Sequence, residues 1–214
     1  MKKILLWIIA GLPFIPISTQ ETKAGEKEKS FFVFNAGISV PIICYASSDI
    51  NKKTAGFAKV GFTVDISYAY RVSTNAGVTG SVFYCANRAG SKTVTAPLSP
   101  GSYRFFGCMA GPFVTKNFAT RWDADFKMLA GVARVLTPKL QQQDEIVLDE
   151  NRTTCFAWGG GLALRYNLAG NSFLHLKTDH LNMKPQFTLK PDELGKGEQH
   201  IVVMNVDAGI GWRF

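Results

Sequence analysis

The chain predicts an all-β fold, an eight-stranded antiparallel transmembrane up-and-down β-barrel, on three observations. The last sixteen residues, QHIVVMNVDAGIGWRF, alternate strictly and end on an aromatic. His200, Val202, Met204, Val206, Ala208, Ile210, Trp212 and Phe214 share one face, and Asn205, Asp207, Gly209, Gly211 and Arg213 share the other. A strand that carries its apolar row to the terminal carboxylate suits the closing strand of a barrel whose side chains alternate between lipid and lumen. The second observation is the recurrence of this period-two pattern in eight segments, and the third is a leader at the N-terminus.

The leader comes first in the chain. Lys2 and Lys3 precede an apolar run from Ile4 to about Ile17, and polar residues follow from Ser18. A helix needs about twenty apolar residues to span a bilayer, and this run is shorter and holds Pro13 and Pro16. Residues 1–24 are therefore expected to be a cleavable signal peptide, cut between about 18 and 24, with 25–214 as the barrel domain. No Cys lies near the cut, which argues against a lipid anchor.

Segment one, about 31–45, sets Phe32, Phe34, Ala36, Ile38 and Val40 against Asn35, Gly37 and Ser39. Segment two, 57–72, sets Ala58, Val60, Phe62, Val64, Ile66, Tyr68, Tyr70 and Val72 against a row with Lys59, Thr63, Asp65, Ser67 and Arg71. Segment three, about 76–87, sets Val78, Gly80, Val82 and Tyr84 against Thr79, Ser81, Phe83 and Cys85. In segment four, about 102–115, Tyr103, Phe105, Met109 and Phe113 are read as the outer row and Arg104, Phe106, Cys108 and Ala110 as the inner one.

Segment five, about 121–136, sets Trp122, Ala124, Phe126, Met128, Ala130 and Val132 against Asp123, Asp125, Lys127 and Gly131. Segment six, about 153–167, sets Phe156, Trp158, Leu162, Leu164 and Tyr166 against Cys155, Gly159, Gly161 and Arg165. Segment seven starts near Ser172 with Leu174 and Leu176 opposite His175 and Lys177, and its alternation decays beyond Asp179. Segment eight is the terminal strand.

Long and short connections alternate along the chain, which places long loops on one side of a membrane and tight turns and both termini on the other. Aromatics gather at the strand ends and read as two interfacial girdles. Tyr68, Tyr70, Phe113, Trp122, Tyr166, Trp212 and Phe214 lie toward the turns, and Tyr84, Tyr103, Phe105, Phe156 and Trp158 toward the loops.

With 214 residues, 46% of them hydrophobic and 12% aromatic, the chain holds one domain. Without residues 1–24 the net charge of +8 falls to +6, because Lys2, Lys3, Lys23 and Glu21 go with the leader. The basic residues are interleaved with acids and form no run along the chain, so a nucleic-acid partner is not expected. A soluble lipocalin-type barrel would also show period two, with its apolar row inside. The apolar row here is too aromatic and too long to fill an eight-strand interior, and it suits a lipid-facing band.

The chain resembles the eight-stranded outer-membrane β-barrel family common in Bacteroidota, similar in architecture to the small OmpA and OmpX type barrels. The resemblance covers roughly 30–214. It is carried by the leader, FNAGISV, FAWGGGLALRYNLAG, Lys184-Pro185-Gln186-Phe187 and the terminal GIGWRF. It implies export to the cell outer membrane, lipid as the surrounding partner, and insertion by the barrel-assembly machinery, which would read Ile210, Trp212 and Phe214 of the closing strand.

No residue set points to chemistry. The inner row mixes acids and bases, and in an eight-stranded barrel such side chains fill the lumen. His175, His180 and His200 are the only histidines, and the pairings of His175 or His180 with Asp179 come without a nucleophile motif. No catalytic, cofactor or metal site is therefore expected. Gly159-Gly160-Gly161 lies within a strand pattern with no helix start after it, so it is read as room for a neighbouring ring or a bend. Four cysteines permit three pairings. Cys85 and Cys108, read as lumen-facing on one hairpin, are the favoured disulfide, with free buried thiols standing equally beside any bridge, while Cys44 falls on the outer row unless Pro41 introduces a bulge.

Two functions fit this reading. One is a non-enzymatic outer-membrane barrel serving envelope structure, adhesion or interaction through its long loops. The other is a small outer-membrane enzyme of lipid-modifying or protease type, or a conduit for small hydrophobic solutes. Convergence of Ser, His and carboxylate at one rim would separate them.

Overall fold

Alternation of side chains is the rule that builds the barrel. The computed structural model describes residues 28–49, 55–90, 98–138, 140–142, 145–148, 151–188 and 196–214, so the expected leader lies outside the described residues. The barrel strands are β1 (Ser30–Pro41), β2 (Ala58–Arg71), β3 (Ala76–Ala89), β4 (Ser102–Ala119), β5 (Trp122–Leu136), β6 (Arg152–Asn167), β7 (Ser172–Met183) and β8 (Ile201–Arg213). Each pairs antiparallel with its neighbour in the chain, and β1 pairs with β8, from Phe31 opposite Arg213 to Pro41 opposite Val203. The seam is locked at its end by reciprocal backbone bonds between Ser30 and Phe214, at 3.2 and 3.0 Å. No barrel edge is left to pair elsewhere, as lipid requires.

Polarity is distributed opposite to that of a water-soluble barrel. Phe34, Phe62, Val82, Phe126, Met128, Leu162, Leu176 and Val206 are exposed on the outer face, while Arg165 is fully buried and Lys177 and Asp207 are 4% and 1% exposed inside. An apolar surface that circles the whole molecule far exceeds the patch a soluble monomer tolerates, and it is the surface that hydrocarbon solvates without cost. The fold is thus a transmembrane barrel. Seven of the eight segments keep the predicted facing through their central parts.

Segment four is the correction. Phe105 and Phe113 point inward, 0% and 3% exposed, whereas Phe106, Cys108 and Val114 face out. Both rows of β4 are apolar, so alternation of hydrophobicity could not choose between them. The inner row is identified by its neighbours instead. Gly107 sits where an added Cβ would come within 3.0 Å of the Phe83 ring, and the Thr115 hydroxyl reaches Asp125 at 2.6 Å. Phe105, Phe113 and partly buried Tyr103, the last packed against the interior cluster, therefore leave the expected girdles.

Smaller departures lie at the long-loop end. A register shift between Ala58 and Gly61 turns Ala58 inward. Pro41 ends β1 rather than bulging it, and a 3-10 turn, Ile43–Ala46, follows. Val202, expected on the lipid row, is 1% exposed, and its carbonyl accepts the Ile42 N–H at 3.0 Å. The alternation of β7 decays because its rows exchange polarity there. Thr178, His180 and Asn182 continue the outer row, and Leu181 and Met183 the inner one. Tight turns join the strands at the other end, and Gly170, with φ +75°, supplies the left-handed residue that β6 to β7 requires. Two small sheets stand beside the barrel, Gln186–Thr188 with Lys196–Glu198, and Leu98–Pro100 with Leu140–Gln142 and Glu145–Leu148.

Candidate functional site

The lumen is where polar side chains converge, and it is stacked in layers. Nearest the tight turns, Phe31, Val33, Ala69, Phe113 and Phe173 form an apolar layer, with Phe31 edge-on to both Phe113 and Phe173. Arg165 lies 4.6 Å from the Phe31 ring centroid, donates a hydrogen bond from Nη2 to Asp125 Oδ1 at 2.8 Å, and forms an ion pair with the same carboxylate, Nε to Oδ2 at 2.7 Å. Stacked and paired in this way, a guanidinium tolerates full burial. Arg71 and Arg213 join the same aromatic layer, and Asp123 lies 3.8 Å from Arg165 and 3.9 Å from Arg213.

Lys177 holds the middle layer. Its Nζ lies 2.7 Å from Asp65, 2.7 Å from Asp179 and 3.2 Å from Asp207, while Lys127 reaches Asp179 at 3.0 Å. Asp65 also accepts from Asn35 at 2.6 Å and from Ser67 and Ser81, each at 2.7 Å. Gly161 makes room for this arrangement, since an added Cβ would strike the Asp179 carboxylate. The glycine run thus admits an acid at Gly161, where a ring or a bend was expected. Three carboxylates face two ammoniums here, and three guanidiniums face two carboxylates in the layer below, so the two imbalances cancel.

Above the charges the lumen turns apolar again. Phe83, Cys85, Phe105, Val135, Leu181, Met183, Ile201 and Val203 pack together, and Tyr45 closes over them, 0% exposed and edge-on to Tyr103 at 5.4 Å. Burial pushes the Tyr45 phenol well above its usual range. Beside Lys177 and Asp179 a cavity of about 20 Å3 remains, room for about one water molecule. Tyr45 lies in the 3-10 turn after Pro41, where segment one was expected to continue as a strand to about 45, so the period-two reading could not assign it to the plug.

The three histidines are kept apart. His175 Nδ1 contacts Asn35 at 2.7 Å inside, His180 lies beside Trp158 outside, and His200 contacts Asn182 at 3.1 Å at the rim. Asp179, considered as a partner for His175 or His180, is committed to the two lysines. Among the described residues no group of three His, Cys, Asp or Glu could hold a metal ion. The favoured disulfide also fails. With β4 facing as it does, Cys85 is buried and Cys108 exposed on the opposite face, Cys85 pairs in register with Phe105, and all four cysteines are free thiols. Ile210, Trp212 and Phe214 do share the outer face, and Phe214 lies 6.1 Å from the Tyr68 ring.

No family model and no curated protein sequence matches the chain. Solved structures do. The chain is similar to neisserial surface protein A, NspA, at 11% identity over 86% of this chain and 97% of that one, with a TM-score of 0.56. It is similar to Ail, the attachment invasion locus protein of Yersinia pestis, at 16% identity over 88% and 100%, with a TM-score of 0.53. The outer membrane protein OprG of Pseudomonas aeruginosa matches at 10% identity over 87% and 97%, with a TM-score of 0.55. These likenesses establish the fold, that of the small eight-stranded outer-membrane β-barrels.

Proposed function

We propose that the chain is a non-enzymatic barrel of the cell outer membrane that acts through its long-loop face in envelope structure, adhesion or interaction. The observation that supports this best is the layered plug. An aromatic layer, a charge layer and an apolar cap under Tyr45 are stacked along the lumen, which supports a closed interior. A conduit would need these layers to part, and an enzyme would need a converging nucleophile and base, whereas the histidines point to three separate environments. The attachment named for Ail is compatible with this reading. The narrower likeness to Bacteroidota barrels rests on the sequence motifs alone.

In planar bilayers the purified chain is expected to give little or no steady conductance. Large, reproducible porin-like steps would overturn the plug.

The closing strand is proposed as the signal for assembly. Phe214 lies on the lipid row and its backbone completes the seam with Ser30. Deleting it removes that seam bond and an anchor of the turn-side girdle, so insertion should fall and protease-sensitive precursor should accumulate in the periplasm. Unchanged insertion of the truncated chain would remove Phe214 from the signal.

A further inference from the structure

One strand breaks the apolar rule on the outer wall of the barrel. The outer row of β7 runs Leu174, Leu176, Thr178, His180, Asn182, and the last three are polar and half-buried. Asn182 is held by His200 at 3.1 Å. Among the described residues neither the Thr178 hydroxyl nor the His180 ring has a hydrogen-bond partner, and the ring has only Trp158 beside it, 6.1 Å between centroids.

Pairing fixes how deep these groups lie. From Asn35 the partners run Asp65, Phe83, Gly107, Ala133 and Cys155 one way round the barrel, and Gly209, His175 and Arg165 the other way. Cys155 and Arg165 are ten residues apart on β6, so a level line drifts toward the turns by about 1.25 residues per strand from β1 to β8. On β4 the outer row is apolar from Phe106 to Val114, between Arg104 and Lys116, which puts Ala110 at mid-height. The level of Ala110 then passes close to Met128, Gly160, Thr178 and Val206, and His180 lies about 5 Å above it toward the long loops. Within about 10 Å of that level the other seven outer rows hold aliphatic and aromatic side chains, cysteine, proline and glycine. Hydrocarbon offers Thr178 and His180 nothing to bond, and an ionisable ring at that depth points to a function.

The wall beside them is indented on one side and raised on the other. Gly160, opposite both His180 and Met128, leaves a gap in the outer row of β6, where an added Cβ would meet nothing nearer than the Lys127 carbonyl oxygen at 3.2 Å. Across β7, Val206 stands opposite Thr178 and projects outward, 40% exposed.

We propose that the chain pairs with a second copy of itself in the membrane through this wall. A two-fold axis along the membrane normal, placed between Thr178 and His180, sets each of these groups against its own copy at equal depth. The same axis exchanges the two sides of β7, so the partner's Val206 enters the indentation at Gly160 and the reverse. A hydroxyl and a neutral imidazole each donate and accept, which makes the polar patch complementary to itself. Small residues and polar groups are what join membrane-spanning surfaces where apolar burial supplies no drive. A lipid tail would fill the indentation and leave both polar groups unbonded. This pairing goes beyond the role proposed for the long-loop face, because it uses the wall of the barrel.

The test starts in native outer membranes. In a Cys108→Ser background, Thr178→Cys should cross-link on oxidation to a species of twice the chain mass, and Val82→Cys on the opposite wall should not. No product from Thr178→Cys, or an equal product from Val82→Cys, would overturn the proposal. A product of another mass would also overturn it and assign the wall to a different membrane protein. Energy transfer between copies labelled at the N-terminal amine, refolded into phosphatidylcholine vesicles, then reads the determinants. The double variant Thr178→Val, His180→Leu and the separate variant Gly160→Leu should each lower the paired fraction at least fivefold while remaining heat-modifiable barrels. Gly80→Leu fills an open position on β3 of the opposite wall, where an added Cβ would meet only the Met109 carbonyl oxygen at 4.0 Å, and should pair as wild type does. Unchanged pairing in both β6 and β7 variants, or an equal loss in Gly80→Leu, would overturn the proposal. A chain that never inserts contradicts the transmembrane barrel itself, whereas an inserted barrel that stays single contradicts the pairing alone.

Discussion

Replacing Lys177 by Met should destabilise the folded barrel by about 3–5 kcal/mol, because Asp65 and Asp207 would remain buried without their shared cation. The magnitude comes from the uncompensated charge rather than from the lost contacts. Asp179 keeps Lys127 at 3.0 Å, so the burden falls on the other two acids. A second substitution, Asp207→Asn, removes one of those charges and should recover part of the loss. Urea unfolding of the refolded protein, followed by tryptophan fluorescence, reads both effects. If Lys177→Met unfolds at the wild-type midpoint, the middle layer is not held together by the Lys177 cation.

The next largest effect is expected on β8, where adjacent residues face opposite media. Val206 points outward between Met204 and Ala208, and Asn205 points inward beside Cys85, at 3.7 Å from its Sγ. Val206→Arg places a guanidinium in hydrocarbon near the mid-plane and should cost about 2–4 kcal/mol. Asn205→Arg enters a lumen that already holds Asp65 and Asp207 and should be milder, because a carboxylate is within reach of a long side chain. The same unfolding assay measures the pair. Equal tolerance of Arg at both positions would contradict the assignment of the faces.

The barrel was legible in the sequence because most strands carry contrast between their rows. On β2, Asp65 and Ser67 alternate with Val64, Ile66 and Tyr68, and the pleat converts that contrast directly into inside and outside. Segment four lacks such contrast, since Phe105 and Phe106 compete for the same face, and its reversal carried the Cys85 and Cys108 pairing away with it. β7 kept its facing, and its alternation fades for a related reason. Its inner row changes from Lys177 and Asp179 to Leu181 and Met183 as it passes from the charge layer to the apolar cap, so a reader expecting one polarity per row sees decay.

Lumen partners were legible only as a set. Asp65, Lys177 and Asp207 could be placed inside from alternation, but their convergence depends on the register of strands distant in sequence. Tyr45 is hidden more deeply still, since it belongs to a short turn with no period to read.

That the apolar outer row faces lipid is tested most directly by cell fractionation with carbonate washing. The chain is expected in the outer-membrane fraction, resistant to carbonate and released only by detergent. Its recovery in the soluble periplasmic fraction without detergent would contradict the transmembrane barrel.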